Sequence, residues 1–163
     1  VVLYTTRPIR EGETDGVEYF FTSSEKLEQF KNSGKIVELR TYETVMGPWS
    51  YFTMDDGQFD IHGEGDCLMI GTLESYEKMC RYYGNGALVP VYIEVPDGIR
   101  LLRAVKREGK QKNPNYREVC RRYLADEDDF SEELLSRLRI GKRFSNTDLE
   151  ACLEEILKEM ESH

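Results

Sequence analysis

Two continuous apolar runs with a helical stretch between them constrain this chain more than any other feature. Residues 67–71 read Cys-Leu-Met-Ile-Gly, and residues 88–95 read Leu-Val-Pro-Val-Tyr-Ile-Glu-Val. A strand that is apolar on both sides suits the interior of a parallel sheet, where both faces are covered. Residues 74–83 between them fit a crossover helix, so a β-α-β unit is predicted and with it an α/β fold.

The rest of the chain is consistent with that class. Residues 1–5 are a short β-rich run, and residues 6–16 are polar and turn-rich, with Pro8, Gly12 and Asp15-Gly16. Tyr19, Phe20 and Phe21 give residues 17–21 strand propensity. Ser23 or Ser24 caps a helix over 25–32, with Leu27 and Phe30 on one face, and Gly34 ends it. Residues 36–42 alternate, Ile36, Glu38 and Arg40 against Val37, Leu39 and Thr41, which predicts a third strand. Gly47-Pro48 reads as a turn, and 51–54 as a further strand. Residues 97–124 form a polar helical stretch interrupted near Gly109 and Asn113-Pro114. A helix over 126–138 with Ser131 as a cap, an edge strand over 142–145 and an amphipathic helix over 148–160 close the chain. Leu149, Leu153, Ile156 and Leu157 form the stripe expected to be buried on that last helix.

Composition narrows the function. The 163 residues suit one domain, and 39% hydrophobic with 33% charged residues suits a soluble globular protein. A net charge of −9 argues against tracking a nucleic-acid backbone, though a local basic pocket still suits a small phosphorylated ligand. No run of eighteen apolar residues exists. Val1-Val2-Leu3-Tyr4 has no basic segment leading into a long apolar run, so it does not read as a signal peptide but as the end of a buried strand entered midway. Cys67, Cys80, Cys120 and Cys152 form no C-x-x-C pair, and His62 and His163 are the two histidines, which argues against a zinc site. Cys67 reads as a small core residue in a reduced, cytoplasmic protein.

The most specific segment is residues 5–19, Thr-Thr-Arg-Pro-Ile-Arg-Glu-Gly-Glu-Thr-Asp-Gly-Val-Glu-Tyr. Arg7 and Arg10 flank a rigid Pro, and a Gly-rich turn leads to Tyr19 on a strand. Two guanidinium forks and a phenol can converge on one phosphate, because Arg offers rigid bidentate donors. Taken alone, the pair also reads as solvated arginines in an ordinary turn.

The segment resembles the T-T-R-x-x-R-x-G-E-x-x-G-x-x-Y signature of guanylate kinases at every one of those positions, and weaker similarity runs on to the C-terminus. The resemblance implies a P-loop kinase-type parallel sheet flanked by helices, with a small mixed-sheet GMP-binding subdomain. It implies one domain over 1–163, with 6–60 binding the monophosphate, 61–96 and 140–163 forming the core, and 97–125 forming a lid. It implies transfer of phosphate from ATP, with magnesium, to GMP, giving ADP and GDP. Arg7, Arg10 and Tyr19 would hold the GMP phosphate. Glu38 would accept hydrogen bonds from guanine; on the residues alone it reads as an outward strand residue paired with Arg40. Arg100, Arg103, Lys106, Arg107, Lys110, Lys112, Arg117, Arg121 and Arg122 stand against only Glu108 and Glu118 in the lid stretch. Of these, Arg103, Arg107 and Arg122 match the family's catalytic arginines, which stabilise the transferring phosphoryl group. The alternative is a solvated face balancing Asp126-Glu127-Asp128-Asp129. Asn146 would lie near the adenine of ATP, and also suits a helix cap. No metal ligands are assigned.

The chain departs from the family in three places. Met46-Gly47-Pro48 replaces a Tyr-Gly-[Ser/Thr] trio. Ile70-Gly71-Thr72-Leu73-Glu74-Ser75 replaces an Asp-x-Asp-x-Gln-Gly segment, with Thr72 or Glu74 as partial stand-ins. No G-x-x-x-x-G-K-[ST] phosphate loop occurs; Gly63-Glu64-Gly65 and Gly84-Asn85-Gly86 lack its Lys and spacing. The chain is therefore expected to start after that loop and to be inactive alone. A sheet lacking its first strand would be completed by further residues or by another copy, as a homodimer or strand-swapped assembly. A non-catalytic module holding a nucleotide or phosphorylated partner is the alternative function, and an inactive remnant the third.

Overall fold

A computed structural model describes every residue but Phe59, Glu64, Asn85, Ser162 and His163. The central residues of the two glycine-flanked turns and one of the two histidines thus lie outside the described residues. The chain divides into two units, residues 1–88 and 89–163.

A hairpin organises the first unit. Strands β3 (Ile36–Thr44) and β4 (Gly47–Met54) pair antiparallel from Thr44↔Gly47 to Ile36↔Met54. The turn is Val45-Met46, not Gly47-Pro48. Gly47 sits at φ 99°, a region side chains avoid, and Pro48 falls at the start of a strand, where its missing N–H is tolerated. Strand β1 (Tyr4–Thr5) pairs antiparallel with β4 and parallel with β2 (Phe20–Phe21), giving a small mixed sheet of order β2-β1-β4-β3. Helix α1 (Ser24–Ser33) begins where the Ser23 side chain accepts from Lys26 N and ends at Gly34, φ 70°. Its Leu27 packs with Phe52 and Met54, and Tyr4, Phe30, Ile36 and Leu39 surround them.

Helix α2 (Leu73–Tyr83) is capped by Thr72, whose side chain accepts from Ser75 N, and Lys78 Nζ donates to Leu39 O on β3 at 2.8 Å. The apolar run before it does not form the predicted strand. Leu68 is 69% exposed and Ile70 88%, and Cys67 is exposed instead of in the core. A strand apolar on both faces needs neighbours to take its backbone N–H and C=O groups. Among the described residues no strand pairs with 67–71, so the β-α-β unit is not built.

The second unit holds strand β5 (Tyr92–Glu94), three residues of the second apolar run, paired parallel with β6 (Arg143–Ser145). Helices α3 (Asp97–Glu108) and α4 (Tyr116–Asp129) are separated where Gly109 and Asn113-Pro114 predict, and the Asn115 side chain caps α4 by accepting from Glu118 N. The helix expected over 126–138 is split: α4 runs through Asp129, and α5 (Glu132–Arg137) starts after Ser131. Val119, Leu135, Ile140, Phe144 and Cys152 are buried. Helix α6 (Leu149–Met160) is capped by Asp148. Its predicted stripe is not buried: Leu149, Leu153 and Leu157 are exposed, Ile156 is half-buried, and Cys152 is the residue covered. The short β6 against which α6 packs is too narrow to cover a stripe 100° wide. Among the described residues no helix is long and apolar enough to cross a membrane.

The α/β class and the small mixed sheet therefore hold, and parallel pairing is found between β1 and β2 in the first unit and between β5 and β6 in the second.

Candidate functional site

The two threonines before Arg7 fix where it points. Thr6 N donates to Ser50 O at 2.9 Å, Ser50 N donates to Thr6 Oγ1 at 2.8 Å, and Thr5 Oγ1 donates to Ser50 O at 3.0 Å. These bonds clip the end of β1 to β4 before the chain turns away. Arg7 is 3% exposed. Its guanidinium forks onto Glu13, Nη1 to Oε2 at 2.7 Å and Nη2 to Oε1 at 2.6 Å, while Nη1 also donates to Pro8 O at 2.9 Å. Gly12 at φ 86° folds the turn back so that Glu13 Oε2 can also accept from Arg10 N at 2.8 Å. The hydrogen bonds from Arg7 hold the Glu13 carboxyl below the ordinary range, against the opposing effect of burial.

Aromatic rings frame the fork. The Arg7 guanidinium carbon lies 5.0 Å from the Tyr19 ring centroid and 5.1 Å from that of Phe21. Tyr19 meets Tyr51 at 5.7 Å, edge to face, and Tyr51 meets Tyr42 at 6.0 Å. Burial, with Tyr19 beside it, pushes the Tyr51 phenol up despite the lowering effect of Arg7, so it stays an O–H donor. Arg10 is exposed and reaches the same group electrostatically, acting on both Glu13 and Tyr51. The structure thus sets Arg7 against the Tyr19 ring, with the exposed Arg10 acting on the same group through Glu13 and Tyr51. Tyr51 and Glu13 were not assigned roles from the sequence. Tyr51 could have been found from register, since it pairs with Thr5, two residues before Arg7.

A second cluster lies on β3. An irregularity in pairing between Ile36 and Glu38 turns Val37 and Glu38 both inward. The Glu38 side chain is fully buried and that of Arg40 is 7% exposed. Arg40 Nε donates to Glu38 Oε2 at 2.9 Å and Nη2 to Oε1 at 3.3 Å; Thr53 Oγ1 donates to Oε1 at 3.0 Å. Arg40 Nη1 then reaches Thr72 Oγ1 at 3.0 Å, linking β3 to the start of α2. Burial opposes the charge on Arg40, and Glu38 more than offsets it, so its pKa rises. Glu38 is paired with Arg40 as the strand alternation allowed, but inward. Of the two expected stand-ins, Thr72 joins this cluster; Glu74 is exposed and pairs with Lys78 at 2.6 Å. Met46 and Pro48 are exposed at the hairpin end.

In the second unit, Arg103 and Asn146 come together. Arg103 Nη1 donates to Asn146 O at 2.9 Å and Oδ1 at 3.4 Å, and Nη2 donates to Thr147 O at 3.3 Å. Asn146 is not the cap of α6; Asp148 accepts from Ala151 N at 2.9 Å instead. Arg107 is exposed and has no side-chain partner among the described residues. Arg122 lies 3.7 Å from both Glu108 and Glu118. Arg100 pairs with Glu127 of the acidic run, so part of the basic stretch does balance it.

The comparisons converge on one family. The guanylate kinase family model matches residues 1–49. A guanylate kinase of Salinibacter ruber is 28% identical over 154 residues, which are 94% of this chain and 76% of that protein. A guanylate kinase of Streptococcus pyogenes is 46% identical over 41 residues, 25% of this chain and 19% of that one. The crystal structure of guanylate kinase from Anaplasma phagocytophilum has the same fold at a TM-score of 0.65, covering 99% of this chain and 73% of that chain at 18% identity. With the fifteen-residue signature folded around Arg7, these matches support guanylate kinase family membership for this chain.

Proposed function

We propose that this chain binds the 5′-phosphate of a nucleoside monophosphate, GMP by family resemblance, and serves transfer of phosphate from ATP to it in the cytoplasm, giving ADP and GDP. The cluster of Arg7, Arg10, Tyr19 and Tyr51 carries the reading. A phosphate dianion accepts from guanidinium forks and phenols alike. Glu13 holds the Arg7 fork in place before the ligand arrives, which lowers the ordering cost of binding.

Phosphoryl transfer is mostly positioning and charge stabilisation. Arg103, Arg107 and Arg122 are the groups that would offset charge on the transferring phosphoryl, and Asn146 would meet the adenine. Magnesium would enter with the ATP substrate and would offset negative charge on its phosphates; no residue of this chain is assigned to hold it. The 163 residues hold no G-x-x-x-x-G-K-[ST] segment, so the cradle for the donor β- and γ-phosphates is not among the assigned groups.

Titration calorimetry with GMP, guanosine and inorganic phosphate tests the reading. GMP is expected to bind more tightly than guanosine, and Arg7→Ala to weaken GMP selectively. Equal losses for GMP and guanosine would remove Arg7 from the phosphate site.

A further inference from the structure

The phosphate reading leaves the choice of base open, and Arg40 bears on it. Resemblance assigns Glu38 to guanine, which presents two adjacent N–H donors, one for each carboxylate oxygen. An ionised carboxylate has about four lone-pair sites. On Glu38, Arg40 Nε takes one site on Oε2, and Arg40 Nη2 and Thr53 Oγ1 take both on Oε1. The Glu38 side chain has no surface left for a ligand. Arg40 is itself held by Thr72 at the cap of α2, so the fork is anchored at both ends. A guanidinium offers the same pair of parallel donors that guanine would bring.

We propose that Arg40 fills, from within the protein, the place on Glu38 that guanine would need, so that the site takes nucleoside 5′-monophosphates through their phosphate with little regard to the base. This rests on the phosphate-site reading above. Arg40 is a specificity-determining residue in this account, and Thr53 and Thr72 position it.

The test uses the full chain, titrated with GMP, AMP, CMP and UMP, while nitrogen-15 NMR follows the Arg40 Nε–H. The four affinities are expected to fall within about fivefold, and the Arg40 resonance to stay in place at saturation. A free carboxylate reading guanine would give discrimination of about 5- to 150-fold, the range of a good bidentate contact to a base. Arg40→Ala is expected to raise the preference for GMP over AMP into that range. Should that variant fail to fold by circular dichroism, the comparison in the unsubstituted chain still decides. A preference for GMP of tenfold or more there overturns the inference and leaves the phosphate reading standing. Failure of every monophosphate and of inorganic phosphate to bind overturns both.

Discussion

Replacing Arg7 with alanine tests the site and the fold at once. The substitution removes two bonds to Glu13, at 2.7 and 2.6 Å, and one to Pro8 O at 2.9 Å. Removing one partner of a buried pair costs about 3–5 kcal/mol. Glu13 keeps 17% of its side chain in water, so the low end, about 3 kcal/mol, applies. Trp49, the sole tryptophan, lies on β4, so its fluorescence reports the first unit. With a urea slope of about 1–3 kcal/mol per M, the midpoint should fall by about 1–3 M. Below that transition the variant is folded and its ligand affinity can be read. Losing a charge-assisted hydrogen bond there costs about 1.5–3 kcal/mol, so GMP should weaken about 10- to 150-fold while guanosine barely changes. A stability change within about 0.5 kcal/mol, the range of an ordinary surface substitution, together with unchanged GMP affinity, would refute the account.

The same pair sets an acid limit. Glu13 binds its proton less readily in the folded chain than unfolded, so the unfolded state carries more protons in that window and stability rises with pH. The contribution is complete above the ordinary carboxylate range and is lost as pH falls through the depressed folded value; Glu13→Gln should flatten that limb of the urea midpoint against pH. Glu38→Ala should cost about 3–5 kcal/mol by leaving Arg40 buried and unpaired, whereas Glu38→Leu with Arg40→Met should recover most of it in the same unfolding assay. Gly71→Ala would place a Cβ 2.2 Å from Ser75 Oγ, so it should cost about 1–3 kcal/mol in urea unfolding, and Ser75→Ala should rescue it.

Most local features were legible because local chemistry sets them. Ser23 and Gly34 bound α1, and Gly109 with Asn113-Pro114 separates α3 from α4, through capping and backbone restrictions that act within a few residues. The Arg7, Arg10, Tyr19 grouping was legible as a signature, and the turn glycines and Thr5-Thr6 clips explain why that spacing folds back on itself. Residues 67–71 misled because apolar character does not say whether a partner strand stands beside it. The α6 stripe misled for the same reason, since periodicity marks a face without naming what covers it.

The division is sharpest on β3. Alternation by itself determined that Glu38 and Arg40 share a side of one strand. Whether that side met water or the interior depended on the irregular pairing after Ile36, on Thr53 from β4 and on Thr72 at the head of α2, residues 15 and 34 positions away from Glu38 in the chain. Local sequence sets which side chains share a face, because the backbone period is local. Burial and hydrogen-bond partners come from segments brought near only by folding, and here they decide whether a carboxylate is free to read a base or already held by a neighbouring guanidinium.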